Sequence, residues 1–140
     1  MTRPLFASIF LLLLASFSFA QKEPDHPIDK ALEACIEKDP SNAGTIECTG
    51  KAYQAWDKEL NKNYGALMRK LKPAQKEALK AAQLEWIRHR DADFKLIDSI
   101  FDTIEGTMYI SMRIESRTEP VKTRALLLKS FVDLVSDAAP

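Results

Sequence analysis

Two long amphipathic patterns on either side of Lys72-Pro73 constrain the fold of this chain more than any other feature. Residues 45–71 and 73–104 each repeat apolar side chains at steps of three and four, the spacing that places side chains on one face of a helix. A proline disfavours helical backbone at the preceding residue and suits the first turn of a new helix. The first helix should therefore end near Lys70, and the two patterns predict a hairpin of antiparallel helices.

The facing stripes of this hairpin contain polar residues that need partners. Two arms joined by a tight turn meet at positions whose numbers sum to about twice the turn position, here about 145 to 147. That register sets Tyr53 opposite Phe94. It also predicts an ion pair between Asp57 and Arg90, because an unpaired carboxylate on a packed stripe costs several kcal/mol. A hydrogen-bonded cluster is predicted for Asn61, Tyr64 and Gln83.

The N-terminus has the pattern of a secretory signal peptide. Arg3 is followed by an uncharged run from Pro4 to Ala20, and Ser18-Phe19-Ala20 has the small-x-small form of a cleavage site. A membrane anchor is the alternative, but a spanning helix needs about 20 apolar residues and this run is shorter. We therefore expect cleavage after Ala20 in a bacterial exported protein, a periplasmic or secreted location, and no stable membrane insertion afterwards.

The rest of the chain has the length of one domain. Residues 1–20 are the predicted signal peptide, and residues 21–27, with two prolines and alternating charges, are predicted to be a flexible leader. Residues 28–136 are predicted to form a single helical domain, followed by a tail over residues 137–140.

Cys35 and Cys48 both lie in the mature part, and an even pair of cysteines in an exported protein predicts a disulfide. Such a bridge stabilises by about 3 kcal/mol in the chain-entropy model. A redox or metal site is the alternative, but the chain has no C-x-x-C and no histidine at ligand spacing. The bridge would tie a short helix over residues 28–37 to the first arm, across the turn-forming segment Lys38–Gly44.

The C-terminal third completes an all-α prediction. Gly106 can end the second arm in a left-handed cap. Residues 107–117 alternate like a strand, but a lone strand would lack a partner, so we interpret them as irregular or helical. Thr118 and Pro120 suit the start of a last helix over residues 121–135. The predicted fold is a long antiparallel helical hairpin with a short disulfide-linked N-terminal helix and a C-terminal helix packed on it.

The side chains give no support for an enzyme. A catalytic triad needs a nucleophile beside a histidine, and the chain has only His26 in the leader and His89 on the second arm. Acidic side chains along the second arm could bind a cation or a basic partner, but a solvated helix face is the simpler interpretation. Removing Arg3 leaves 19 basic and 20 acidic side chains, without the basic excess of a nucleic-acid binder. We predict no catalytic residue, no metal, no cofactor and no nucleic-acid partner.

Two segments of the chain carry recognisable motifs. The run from Cys48 to Tyr64 contains Asp-x-x-Leu-Asn-x-x-Tyr, and the run from Leu79 to Asp91 contains Gln-x-x-Trp-Ile-x-x-Arg-Asp. Together these motifs resemble the LprI-type lysozyme-inhibitor family. Weaker similarity continues at Gly106-Thr-Met and Thr123-Arg124-Ala. Many members carry a second cysteine pair, which this chain lacks. The matching residues are interpreted as the structural core of the family fold: Asp57, Leu60, Asn61, Tyr64, Gln83, Trp86, Arg90, Asp91 and Arg124.

The resemblance implies a small secreted helical domain that binds a protein partner, with lysozyme as the expected one. Lysozymes use two carboxylates in a sugar-binding cleft, so an inhibitor can act by filling that cleft with a rigid projection. The stapled loop is the best such projection, because Lys38, Ser41 and Asn42 can pair with carboxylates. The alternative is a cell-envelope helical interaction module that does not inhibit lysozyme. The sequence leaves the oligomeric state open.

Overall fold

The computed structural model describes residues 26–138, which fold into helices without a strand. The all-α class is therefore confirmed. The predicted signal peptide, the predicted leader up to Asp25 and the last two residues of the predicted tail lie outside the described residues. The helices are α1 (Pro27–Lys38), α2 (Asn42–Lys70), α3 (Pro73–Phe101) and α4 (Met108–Asp137).

The predicted hairpin is confirmed as α2 and α3. α2 ends at Lys70 and α3 begins at Pro73, with Leu71 and Lys72 forming the turn. The ring centroids of Tyr53 and Phe94 lie 6.5 Å apart across the two arms, as the predicted register requires.

α4 runs parallel to α2 and antiparallel to α3. On α2, Asn42 contacts Thr107 just before α4 begins, and Asn63 contacts Ala125 further along both helices. On α3 the order is reversed, since Gln83 contacts Arg124 while Asp98 contacts Arg113. The C-terminal helix therefore packs along the hairpin, as predicted.

The core lies along the seam between α2 and α4, which share the most extensive helix contact in the described structure. α3 packs its backbone mainly against α4 and contributes a single fully buried side chain, Leu79. Ala52 and Ala125 lie buried on α2 and α4, and such small side chains allow two helix backbones to approach closely. The buried core cluster comprises Trp56, Leu60, Leu67, Leu79, Val121, Ala125 and Leu128.

α1 is attached to the bundle at its N-terminal end. His26 caps its N-terminus, where the imidazole Nδ1 accepts a hydrogen bond from the Ile28 N–H at 3.2 Å and the ring lies 4.4 Å from that of Trp56. α1 therefore begins at Pro27, one residue earlier than predicted. The Lys122 ammonium on α4 donates to Asp29 at 2.8 Å, so α1 contacts α4 as well as α2.

The prediction of a break before residue 121 is wrong, because α4 runs unbroken from Met108 through Pro120 to Asp137. Pro120 has no N–H to offer the carbonyl one turn earlier, which is the usual reason for a break. Val121 and Ala125 follow the proline and have no exposed surface, and Ser111, which precedes it, is also buried, so tertiary packing on both sides of the proline holds the helix together.

The second arm also ends earlier than predicted. α3 stops at Phe101, and Gly106 lies in the turn that follows rather than at the helix cap. Its φ of +124° falls in the region that favours glycine, so the predicted positive φ is confirmed at a different structural position.

Candidate functional site at the tip of the bundle

Two connections meet at one end of the molecule. The α1–α2 turn and the α3–α4 turn are joined where the Asn42 side-chain amide donates a hydrogen bond to the Thr107 hydroxyl at 3.0 Å. We call residues 38–42 and 102–107 the tip. The segment predicted to bind a partner therefore lies on a surface made from two turns.

The α1–α2 turn is held by a chain of local hydrogen bonds. The Asp39 carboxylate accepts from the Ser41 N–H at 3.1 Å, and the Ser41 hydroxyl accepts from the Gly44 N–H at 3.0 Å. A Cβ on residue 44 would overlap the carboxyl group and the carbonyl oxygen of Asp39, so only glycine fits there. The hydrogen bonds from Ser41 lower the pKa of Asp39, which favours its charged form. Because Ser41 caps α2, the helix starts at Asn42, ahead of residue 45, where the predicted helical pattern begins.

The predicted disulfide is confirmed and closes the same turn covalently. Cys35 and Cys48 are bridged across a sequence separation of 13, with Cα atoms 5.8 Å apart. The bridge lies on the last turns of α1 and the first turns of α2. Three independent restraints therefore hold the α1–α2 turn: the disulfide, the capping hydrogen bonds and the link to Thr107.

The three side chains proposed for partner binding have different surroundings. Ser41 and Asn42 are exposed, but their polar groups serve as the cap of α2 and the link between the turns. Lys38 is exposed at the end of α1 and forms no ion pair within residues 26–138. Its ammonium group is therefore the one of the three that remains available for an external carboxylate.

The tip has an acidic balance, with three carboxylates against one ammonium group. Asp39, Asp102 and Glu105 lie in the two turns together with Lys38. Asp102 accepts a hydrogen bond from Arg113 at 2.9 Å, which anchors the α3–α4 turn to α4. The tip therefore presents one available ammonium group, that of Lys38, among carboxylates.

A cluster of arginine and carboxylate side chains lies between α3 and α4, next to the tip. Asp98 on α3 is bound by Arg113, whose Nη2 lies 2.8 Å away, and by Arg117, both on α4. Partial desolvation raises the pKa of Asp98, but the hydrogen bonds and charges of the two guanidinium groups outweigh this effect and lower it overall. Arg117 also lies 5.3 Å over the ring of Phe94. Sequence reasoning missed this cluster, although acids and arginines four residues apart on facing helices could have indicated it.

The predicted ion pair between Asp57 and Arg90 is wrong. The Asp57 carboxylate accepts from the Asn61 amide at 3.1 Å on its own helix. Arg90 donates to its neighbour Asp91 at 2.6 Å and lies over the ring of Trp86 at 5.2 Å. Both groups have polar partners on their own helix, since the backbones of α2 and α3 contact each other much less than each contacts α4.

The predicted cluster of Asn61, Tyr64 and Gln83 is likewise not formed. The Gln83 side-chain oxygen accepts from Arg124 Nε at 3.0 Å, and Arg124 lies 5.8 Å over the Trp86 ring. Burial lowers the pKa of Arg124. Gln83 and Trp86 on α3 therefore meet Arg124 on α4, and all three belong to the family motifs. Leu60 is buried in the core, and Tyr64 and Trp86 pack against it.

The described residues contain no group of three or more histidine, cysteine or acidic side chains that could hold a metal ion. His89 is exposed and lies 3.4 Å from Asp93. Between residues 26 and 138, no helix is both long enough and apolar enough to cross a membrane.

These features describe a small disulfide-stapled helical domain whose candidate site is a rigid surface suited to binding another protein. Residues 35–128 match the family model described as lysozyme inhibitor LprI. The protein belongs to the LprI lysozyme-inhibitor family, since this match covers more than half of the chain.

The fold is also similar to a solved structure. An uncharacterized protein from Burkholderia thailandensis shares 29% sequence identity with a TM-score of 0.72. The alignment covers 81% of this chain and 57% of that one, so this chain spans little more than half the length of its structural relative. No curated protein matches this chain.

Proposed function

We propose that this protein is an exported inhibitor that inserts its tip into the substrate cleft of a lysozyme. Membership of the LprI family supports an inhibitory role. The single structural observation that carries the proposal is the threefold restraint of the α1–α2 turn by the disulfide, the cap and the link between Asn42 and Thr107.

Restraint matters because binding normally costs the freedom of the groups that become ordered. Each immobilised flexible side chain costs about 0.5–1.5 kcal/mol on association, and a loop that is already rigid in the free protein avoids much of this cost. The Asp39–Ser41–Gly44 hydrogen bonds order the turn before any partner arrives. A preformed projection can therefore occupy a cleft without folding onto it.

The charged side chains of the tip match two properties of lysozymes: the carboxylates in the cleft and the positive overall charge. Lysozymes act with a pair of carboxylates in their cleft, and the Lys38 ammonium can pair with one of them. Lysozymes of the common type are cationic overall, so the carboxylates of Asp39, Asp102 and Glu105 would steer the tip towards the enzyme. Ser41 and Asn42 hold the α1–α2 turn rather than binding the enzyme themselves, because their polar groups already bond to Gly44 and Thr107.

We also propose that the protein is exported and has no enzymatic activity of its own. The pattern over residues 1–20 predicts a cleaved signal peptide, which would release the mature chain into the periplasm or the medium. The protein would act by occupying a cleft and would contribute no catalytic group, cofactor or metal.

The experiment measures the activity of a lysozyme on a peptidoglycan suspension while the mature protein, residues 21–140, is added in increasing amounts. Lys38→Ala should raise the half-inhibitory concentration by about tenfold, since a hydrogen bond to a charged group contributes about 1.5–3 kcal/mol. Lys58→Ala is the matched control, because Lys58 is exposed in the middle of α2 and also forms no ion pair within the described range.

Equal potency of the Lys38→Ala variant and the parent protein would show that the tip does not act as proposed. No inhibition by the parent protein at micromolar excess would reject the inhibitor function itself. The second candidate, a cell-envelope interaction module, would then be favoured, since α3 and α4 expose a row of large apolar side chains.

A further inference from the structure

Large apolar side chains are exposed on one part of the molecule. Within residues 26–138, all exposed large hydrophobic residues lie from Leu84 onwards, and α1 and α2 carry none. Most of those on α3 and α4 share the side of these helices that faces away from α2. We call this surface the α3–α4 face and define it by Leu96, Ile100, Met112, Leu127, Phe131 and Leu134.

Helical spacing places these residues on one surface. On α4, Met112, Leu127 and Leu134 lie within an arc of about 60° at 3.6 residues per turn, so they lie along one stripe. A groove of about 540 Å³ runs between this stripe and α3, and both Leu96 and Leu127 line it. Leu84 lies outside this surface, on the outer side of α3, because it is turned by roughly 120° from Leu96.

We infer that the α3–α4 face binds the same face of a second copy of this chain, forming a two-fold dimer. The face is apolar at both ends, with Ile100 and Met112 near the tip and Phe131 and Leu134 at the far end. A two-fold axis across the middle of the helices brings the tip end of one copy onto the far end of the other. A patch that is alike at both ends is self-complementary under that operation.

The charges at the centre of the face also suit a second copy. The groove between the apolar ends is lined by His89, Asp93, Glu119 and Arg124, which include both signs. Such a surface meets its own copy without net repulsion, whereas it offers no electrostatic preference for a strongly cationic partner. The mature chain also has almost no net charge, so the two copies do not repel at long range.

The size of the face matches what a stable dimer needs. From Met112 to Leu134, α4 extends about 33 Å at 1.5 Å per residue, and two packed helices are about 20 Å wide, which makes a face of about 650 Å². A standard protein interface buries about 800 Å² on each side. In the dimer, α3 and α4 of one copy would pack on α3 and α4 of the other. The two tips would then remain free at opposite ends.

Sedimentation equilibrium of the mature protein without lysozyme, from 1 to 100 μM, tests the inference. The parent protein should show twice the monomer mass, and Leu127→Glu should raise the dissociation constant at least a hundredfold. Leu84→Glu is the matched control, since Leu84 is 50% exposed and Leu127 is 42% exposed, and it should remain dimeric. Ile100→Glu, at the other end of the face, should dissociate the dimer as well, and circular dichroism should show unchanged helicity in all variants.

A parent protein that is monomeric throughout the range would overturn the inference, as would equal dissociation by Leu84→Glu. Inhibition measurements keep this test separate from the proposed function, because Leu127 lies away from the tip. Monomeric Leu127→Glu should inhibit lysozyme with unchanged potency per chain. A monomeric parent protein whose inhibition is lost in Leu127→Glu would assign this face to lysozyme instead.

Discussion

The side-chain amide of Asn63 on α2 donates a hydrogen bond to the backbone carbonyl oxygen of Ala125 on α4, at 3.1 Å and out of contact with water. This polar contact joins the two helices that form the core. Asn63→Leu should lower the free energy of unfolding by about 1–3 kcal/mol, because leucine cannot make this hydrogen bond in the buried seam. Urea unfolding followed by circular dichroism measures the loss.

Asn61→Leu provides the comparison for that prediction. Asn61 is exposed and bonds only to Asp57 within its own helix, so its replacement should change stability by about 0.5 kcal/mol or less. Similar losses for both variants would mean that the contact between Asn63 and Ala125 does not stabilise the α2–α4 seam.

Ala125 should tolerate no larger side chain. It has no exposed surface at the seam between α2 and α4, so the methylene groups of a leucine would force the helices apart. Ala125→Leu should lower stability by about 1–3 kcal/mol, whereas Ala81→Leu on the exposed surface of α3 should have little effect. Thermal unfolding of both variants checks the difference, and a stable Ala125→Leu protein would contradict the close helix approach.

The disulfide should contribute a large share of stability. Replacing Cys35 and Cys48 together by serine should lower the free energy of unfolding by about 3 kcal/mol, because the bridge joins residues with a sequence separation of 13 and so closes a short loop of the unfolded chain. Unfolding of the parent protein with and without reductant should show the same difference. The double variant serves as its own control, since reductant should not affect it.

Acid should weaken the contact between α3 and α4. The pKa of Asp98 is lower in the folded protein than in the unfolded chain, because the guanidinium groups of Arg113 and Arg117 outweigh its partial desolvation. A lowered folded pKa contributes stability that is complete above the unfolded value, about 3.9, and is lost as pH falls through the folded value. The stability of the parent protein should therefore decline below pH 4.

Asp98→Asn isolates that contribution. The difference in unfolding free energy between the parent protein and the variant should be largest near pH 7 and shrink towards pH 2, because protonation removes the same charge as the substitution. Asp133→Asn, which removes a surface pair with Lys129, is the comparison. A difference that stays constant with pH would show that the charge of Asp98 is not the stabilising feature.

Local signals in the sequence were sufficient for the all-α class, the α2–α3 turn and the disulfide, whereas several helix ends differ from the predicted ones. Lys72-Pro73 marks the α2–α3 turn because a proline acts on its immediate neighbours, and the cysteines mark the disulfide because an even pair in an exported protein is most simply bridged. The register that placed Tyr53 opposite Phe94 followed from the turn position alone. The motif residues indicated the family, which the family model confirms.

The tertiary structure decided which helix covers which stripe and where each polar group finds its partner. An apolar stripe specifies a buried face but not the element that buries it, so the sequence could not show that α4 packs between the arms. That placement leaves Asp57 and Arg90 with local partners, gives Gln83 to Arg124, and carries α4 through Pro120. Long-range packing outweighs local preference at these positions, because buried contacts contribute more free energy than a single turn signal.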